Sequence, residues 1–404
     1  MTLRPRALQF MTVAIASLLV AAAPAISAPY RPHDDAQVLE RLPGRLAGNE
    51  QQKALRELRG RLRDQPGNPQ IAAELAERYY RLAQRTGDPR YVGYAQSALS
   101  PWPPGSAAPA DVRTVRALIA QFLHDFDGAL TDLDAVLAAN PADLGARSYR
   151  AIIHLVKADY DQAAKDCAEL ERLAQGLVAN ACLPTVSAVV GRSEPAIARL
   201  TRLLDTHRSA PPNEKLWVFN RLGEINQRLG RWEEADAWYR KALAAGIDDQ
   251  YLLATYADFL LDRNRPAEVV TLLQSHVPND VLLLRLALAE KSLAMPETAT
   301  HQAMLADRYD ASRRRGDKLH LADEALFALH FSKQATTALN LARENWDLMQ
   351  REPSDARILL EAALAAGDQT GAKPALDWLR ATEHEDVMIR QLAARLTVQD
   401  GTTR

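Results

Sequence analysis

Small side chains return along this chain at an interval of about 34 residues, a rhythm that few folds can carry. The clearest copy runs from Leu216 to Asp249. It places Phe219, Leu222 and Gly223 on a first helix, Gly230 and Trp232 at a turn, and Ala235, Tyr239 and Ala242 on a second helix. With Ala235 as the reference, the equivalents are Ala95, Ala129, Ala163, Ala196, Val269, Ala303, Ala338 and Ala375. Their spacings are 34, 34, 33, 39, 34, 34, 35 and 37. The 39 has a visible cause in the insertion Ser209 to Asn213, whose two prolines can only lengthen a loop. A small residue at this place lets the second helix approach the first closely. Each helix pair then keeps an apolar face that only the next pair can cover, so the units must stack. Composition agrees with an all-α chain: over 404 residues, apolar side chains reach 47%, aromatics only 6% and charged ones 25%.

The pattern resembles the tetratricopeptide repeat (TPR). That motif has an aromatic at position 4, Leu-Gly at 7 and 8, a small residue at 20, an aromatic at 24 and alanine at 27. The resemblance implies a right-handed superhelical α-solenoid of antiparallel helix pairs. Its packing residues would be Ala95, Ala129, Ala163, Ala196, Gly223, Ala235, Tyr239, Ala338 and Ala375. Residues 66–280 form the well-matched array and 281–385 degenerate repeats, where Asp307 occupies a place that should be buried. Residues 386–404 read as a capping helix and tail, with Val387, Ile389, Leu392, Ala393 and Leu396 on one face. Residues 28–65 are an N-terminal extension with a helix over Gln51 to Arg63. The segment Ser100 to Pro109 holds four prolines and a glycine, yet the repeat spacing continues across it. It is read as the replaced end of a helix inside one continuous solenoid.

Residues 1–27 have the parts of a secretory signal. Arg4 and Arg6 precede an apolar run from Phe10 to Ala23, Pro24 breaks it, and Ala25 and Ser27 set a small-residue exit. The run is shorter than the ~20 residues a membrane-spanning helix needs. Periplasmic or secreted localisation in a bacterium is therefore expected, with no stable membrane span after cleavage. The whole sequence has a formal charge of −2, and removing the signal makes it −4. A near-neutral chain gives no electrostatic case for nucleic acid as a partner.

No catalytic signature emerges. The sequence has no GxxxxGK[ST], GxGxxG or GxSxG, and His384-Glu385 lacks the second histidine of a zinc-protease helix, with Met388 in its place. Asp125 to Gly128 carries its glycine too early for a calcium loop. Nine histidines are scattered without metal-ligand spacing. The chain is expected to be neither an enzyme nor a cofactor or metal binder. Cys167 falls on the second helix of one pair and Cys182 on the first helix of the next, and those helices pack together. Two readings stay open: a disulfide in an oxidising compartment, or two buried small side chains.

Function is expected in the groove. In TPR proteins the first helices line the concave face, and positions 2, 5, 9, 12 and 13 commonly meet the ligand. Carried onto this chain, the partner-binding candidates are Leu118, Gln121 and Phe122, then Ile152 and Leu155. Further along they are Trp217, Asn220, Glu224, Gln227 and Arg228, then Tyr251 and Asp258. The groove starts apolar and turns aromatic, polar and charged, which suits a partner helix or extended peptide. Alternatively, residues 29–65 of the chain itself cover the apolar part. The implied role is a non-catalytic protein-interaction scaffold or adaptor of the cell envelope. Rivals are an accessory or assembly subunit of an envelope enzyme or transporter, and an enzyme with a dispersed site.

Overall fold

The computed structural model describes residues 50–88 and 90–401, so the expected signal at 1–27 and residues 28–49 of the extension lie outside the described residues. The chain divides into two units, 1–53 and 54–404. Of the first, only the opening turn of helix α1 (Glu50–Asp64) is described; all the helices named below belong to the second.

Among the described residues there are helices and no strand. The helices after α1 pair in sequence: α2 (Pro69–Thr86) with α3 (Arg90–Ala98), α4 (Ala110–Phe122) with α5 (Phe126–Ala139), and α6 (Leu144–Val156) with α7 (Tyr160–Leu173). Next come α8 (Leu177–Val189) with α9 (Ser193–Thr206), α10 (Pro212–Arg228) with α11 (Trp232–Leu243), and α12 (Gln250–Asp262) with α13 (Pro266–Leu273). The last are α14 (Asp280–Ser292) with α15 (Glu297–Arg315), α16 (Leu321–Phe327) with α17 (Ala335–Asp347), and α18 (Pro353–Ala366) with α19 (Gln369–Thr382). Helix α20 (Val387–Gly401) closes the stack against α18. Even-numbered helices also pack side by side, α2 on α4, α10 on α12 and α16 on α18, and so form the inner layer.

Local chemistry explains where helices start and turn. Asn68, Asp143, Asp249 and Asn279 each cap a first helix by accepting the N–H three residues on, at 2.9 to 3.2 Å. The turn inside each pair needs one left-handed residue. Gly191 and Gly230 supply it at φ +71° and +75°, but His124, Ala158 and Asn264 hold the same place at φ 54° to 61°.

The reference alanines Ala95, Ala129, Ala163, Ala235, Ala338 and Ala375 are fully buried, and Ala196 nearly so. Gly223 faces Tyr239 so closely that a Cβ there would stand 2.8 Å from the ring, and that ring is itself fully buried. One reference residue is corrected. Ala303 is exposed, and Leu305 and Tyr309 turn inward instead. The 19-residue α15 has shifted by two positions, so its buried stripe follows the large i, i+4 pair rather than the alanine, and Asp307 faces out.

Buried ion pairs repeat with the helices. Arg147 and Arg150 on α6 reach Asp166 on α7 at 3.0 and 2.8 Å, and Arg113 and Arg116 on α4 reach Asp132 on α5. Arg116 also donates to the carbonyls of Trp102, Pro103 and Ser106 at 2.7 to 3.2 Å, which ties the proline-rich segment to the stack. Cys167 and Cys182 are joined as a disulfide between α7 and α8, with Cα atoms 5.2 Å apart. Gly223→Ala should lower unfolding free energy by roughly 1–3 kcal/mol, read by urea denaturation, because the Tyr239 ring has nowhere to retreat.

Candidate functional site

The inner wall carries the expected contact residues, but it is not an open trough. Successive turns of the superhelix meet. Ser193 N–H donates to Glu385 at 2.9 Å across a separation of 192 residues, and the His384 Nδ1–H donates to the Val189 carbonyl at 2.8 Å across 195. The Arg351 N–H donates to the Val156 carbonyl at 2.9 Å, and Trp378 Nε1–H to the Tyr160 hydroxyl at 2.7 Å. Gln350 donates to His124 at 3.0 Å, and Arg357 grips Asp262 with two bonds of 2.6 and 2.7 Å. Val189, Leu155 and Tyr160 pack into the apolar cluster of the C-terminal helices. The segment that meets the groove, among the described residues, is therefore the C-terminal block.

This settles the surroundings of each candidate. Leu118 is buried in the α2–α4 core and Phe122 packs edge-on to Tyr80 at 6.1 Å, because α2 lies directly beside α4. Gln121 is partly exposed beside them. Leu155 is taken up by the C-terminal cluster, while Ile152, one turn earlier, stays 41% exposed. Asn220 is buried and accepts from the Thr255 hydroxyl at 3.0 Å. Leu118, Phe122, Leu155 and Asn220 are thus spent on internal packing rather than offered to a partner. Gln227 accepts from the Tyr239 hydroxyl at 2.7 Å and donates to Asp262 at 3.4 Å.

What remains is a polar patch around α10 and α12. Arg221 pairs with Glu224 at 2.9 Å, and its guanidinium lies 4.6 Å from the Tyr251 ring centre and 5.7 Å from that of Trp217. The Tyr251 hydroxyl donates to Glu224 at 2.6 Å. Arg285 holds Asp258 at 3.0 Å and Asp323 at 2.6 Å. The Arg228 charge acts on both Asp386 and His384, and its buried Nε–H is unsatisfied. Tyr251 is 43% exposed, yet loss of bulk solvent raises its phenol well above the usual value. Asp258 is likewise accessible and likewise raised by desolvation, against the pull of Arg285. Arg221 escaped the sequence reading because it falls between the counted positions, the Trp217, Arg221, Glu224 spacing on one helix face being its only signal; Arg285 and Arg357 fall at position 2 of the copies anchored by Ala303 and Ala375, in the degenerate part of the array where no contact positions are assigned.

Groups in and beside these contacts between turns titrate unusually. Burial, with Asp355 adding and Arg221 opposing, pushes Glu352 up to about 7, and burial pushes Asp355 up to about 6. Burial pushes His384 down to about 3 and His124 down to about 4, so both rings are neutral at pH 7. No group of three His, Cys, Asp or Glu side chains among the described residues is placed to hold a metal. The wall offers ion pairs, hydrogen bonds and aromatic faces. Glu352→Gln should test the sign. A carboxyl raised by folding gives stability that is complete below its ordinary 4.5 and lost as pH climbs through 7. The variant should therefore melt higher than the parent at pH 8, by about 1–3 kcal/mol of stability, and converge with it below pH 4.5.

No family model matches the chain, and no curated protein matches it. Among solved structures it is similar to the APC/C hetero-tetramer Cut9–Hcn1, at 15% identity and a TM-score of 0.39 over 77% of this chain and 52% of that one. The chain thus spans about half the length of that relative. It is similar to yeast Tom70 at 11% identity and a TM-score of 0.39, covering 88% of this chain and 86% of that one. It is similar to the P58(IPK) TPR domain at 14% identity and a TM-score of 0.20, covering 83% and 95%. The helix pairs and their buried small residues make the fold that of an all-α, TPR-like helical-repeat protein.

Proposed function

We propose that this protein is a non-catalytic interaction scaffold of the cell envelope that receives a partner segment on its inner wall. The observation that carries this reading is the wall itself. The C-terminal block covers Leu155 and engages Asp262, yet it leaves Tyr251 open to water beside the Trp217, Arg221 and Glu224 patch, and Ile152 exposed further back on α6. Exposed aromatic faces beside a fixed ion pair, with an apolar side chain exposed elsewhere on the first helices, are the chemistry of peptide recognition. It favours a short helix or extended segment with an apolar anchor and a few polar groups.

Envelope residence is supported by the signal-like segment 1–27 and by the Cys167–Cys182 bridge, since such bonds persist in oxidising compartments. No helix among the described residues is long and apolar enough to cross a membrane. Affinity capture from an envelope fraction should recover one or a few defined proteins. Ile152→Glu and Tyr251→Ala should each abolish that recovery with helical circular dichroism unchanged; full recovery by both variants would remove the inner wall from the function. The exported protein should carry no free thiol and gain about 2 Da on reduction. Two free thiols in exported protein would count against the compartment.

A further inference from the structure

We propose that the open edges of this stack join copies of the chain end to end. Exposed turns inside the pairs from α14 to α19 of one copy seat on exposed loops between α3 and α8 of the next. These edges are turns and loops rather than inner helix faces, so the inference stands apart from the contact surface proposed above.

Contact between superhelical turns has a direction. On one side are turns inside pairs: His124 between α4 and α5, the Val156 carbonyl at the end of α6, and Val189 and Ser193 around the turn from α8 to α9. On the other are loops between pairs: Gln350 and Arg351 before α18, and His384 and Glu385 before α20. Two different surfaces meet, so the interface is heterologous, and such an interface can be continued by another copy.

The left-handed residues inside the pairs report which edge is used. His124, Ala158 and Gly191, at φ 60°, 61° and 71°, are half-buried where another superhelical turn meets them. Ala294, Lys333 and Gly367 hold the same place at φ 54°, 53° and 67°, and all three are exposed. The loops divide in the same way. Gln350, Arg351 and Glu385 are half-buried and His384 is fully buried, whereas Pro101, Pro103, Pro104, Pro141 and Gln175 are exposed.

Each open edge also carries an apolar anchor of the kind that the closed contact uses. Where turns meet, Leu155 and Val189 pack into the C-terminal cluster. Leu293, at the end of α14 beside Ala294, is 42% exposed, and Leu144, at the start of α6 beside the loop 140–143, is 40% exposed. Prolines stiffen the loop 99–109 before contact, which lowers the ordering cost of binding. The loops 99–109, 140–143 and 174–176 hold a single charged residue, Asp143, so little repulsion opposes the match. A second copy necessarily presents the complementary edge, since each chain carries both. Within one chain the covalent link supplies an effective concentration on the order of millimolar. Between copies that advantage is absent, so association is weak, and it is open-ended because the contact advances along the superhelix.

Light scattering from the purified exported chain over rising concentration tests this. The average mass should climb past about twice that of one chain as the concentration approaches about a millimolar, with no fixed end point. Leu293→Glu removes one edge and Leu144→Glu the other, each at an exposed position where helical circular dichroism should be unchanged. Each variant alone should stay a single chain. An equal mixture should form pairs and nothing larger, because each variant brings the edge that the other lacks. A parent that stays a single chain throughout would overturn the proposal. Association surviving in either variant, the mark of a different surface, would do the same, as would a mixture that forms no pairs.

Discussion

The close approach of paired helices governs everything built on them. Where Gly223 meets the Tyr239 ring, or a buried alanine such as Ala129 or Ala163 meets its facing helix, the inter-helix distance is set by the absence of side-chain atoms. That distance fixes the angle of each pair and the step to the next. Repeated along the array, a nearly constant step becomes a curve, and the curve is tight enough here to bring Ser193 to Glu385 and Val189 to His384 in hydrogen-bonding contact.

Much of this was legible from residue type alone. A buried alanine returning at a fixed interval has one strong physical cause, so helix pairing, pair order and most packing positions could be read directly. The reading slipped at α15, where Ala303 kept the spacing but Leu305 and Tyr309 took the buried face; spacing counts residues, whereas burial follows volume. The inner wall was harder. Counting positions located Trp217, Glu224 and Tyr251, but it treated each pair as equivalent. It could not register that Leu155 and Asp262 would meet a block far along the chain. Contacts between superhelical turns depend on accumulated pitch, which no local pattern encodes.

The charged groups show the same division. Arg147 and Arg150 with Asp166 act within one pair, and their role is to bridge two helices in a buried setting where removing one partner leaves a stranded charge. Arg357 with Asp262 acts between turns, and Arg285 with Asp258 and Asp323 joins three inner helices. The first kind stabilises a unit, while the second couples units that would otherwise sense only their neighbours. An array with such long-range ties should behave less like a string of independent segments and more like a single cooperative body.

The fixed interval between residues that meet across superhelical turns constrains how this architecture can change over time. Solenoids ordinarily lengthen or shorten by whole units with little penalty, since each unit sees only those beside it. Here the residues facing one another across Gly191 and Glu383 are brought into phase by the summed winding of every pair between them. Gaining or losing one pair in that interval would rotate the far side out of alignment, and the Trp378 and Tyr160 partners would face strangers. Unit number between α8 and α19 is thereby locked, while α2 and α3, lying before the interval, are freer to diverge.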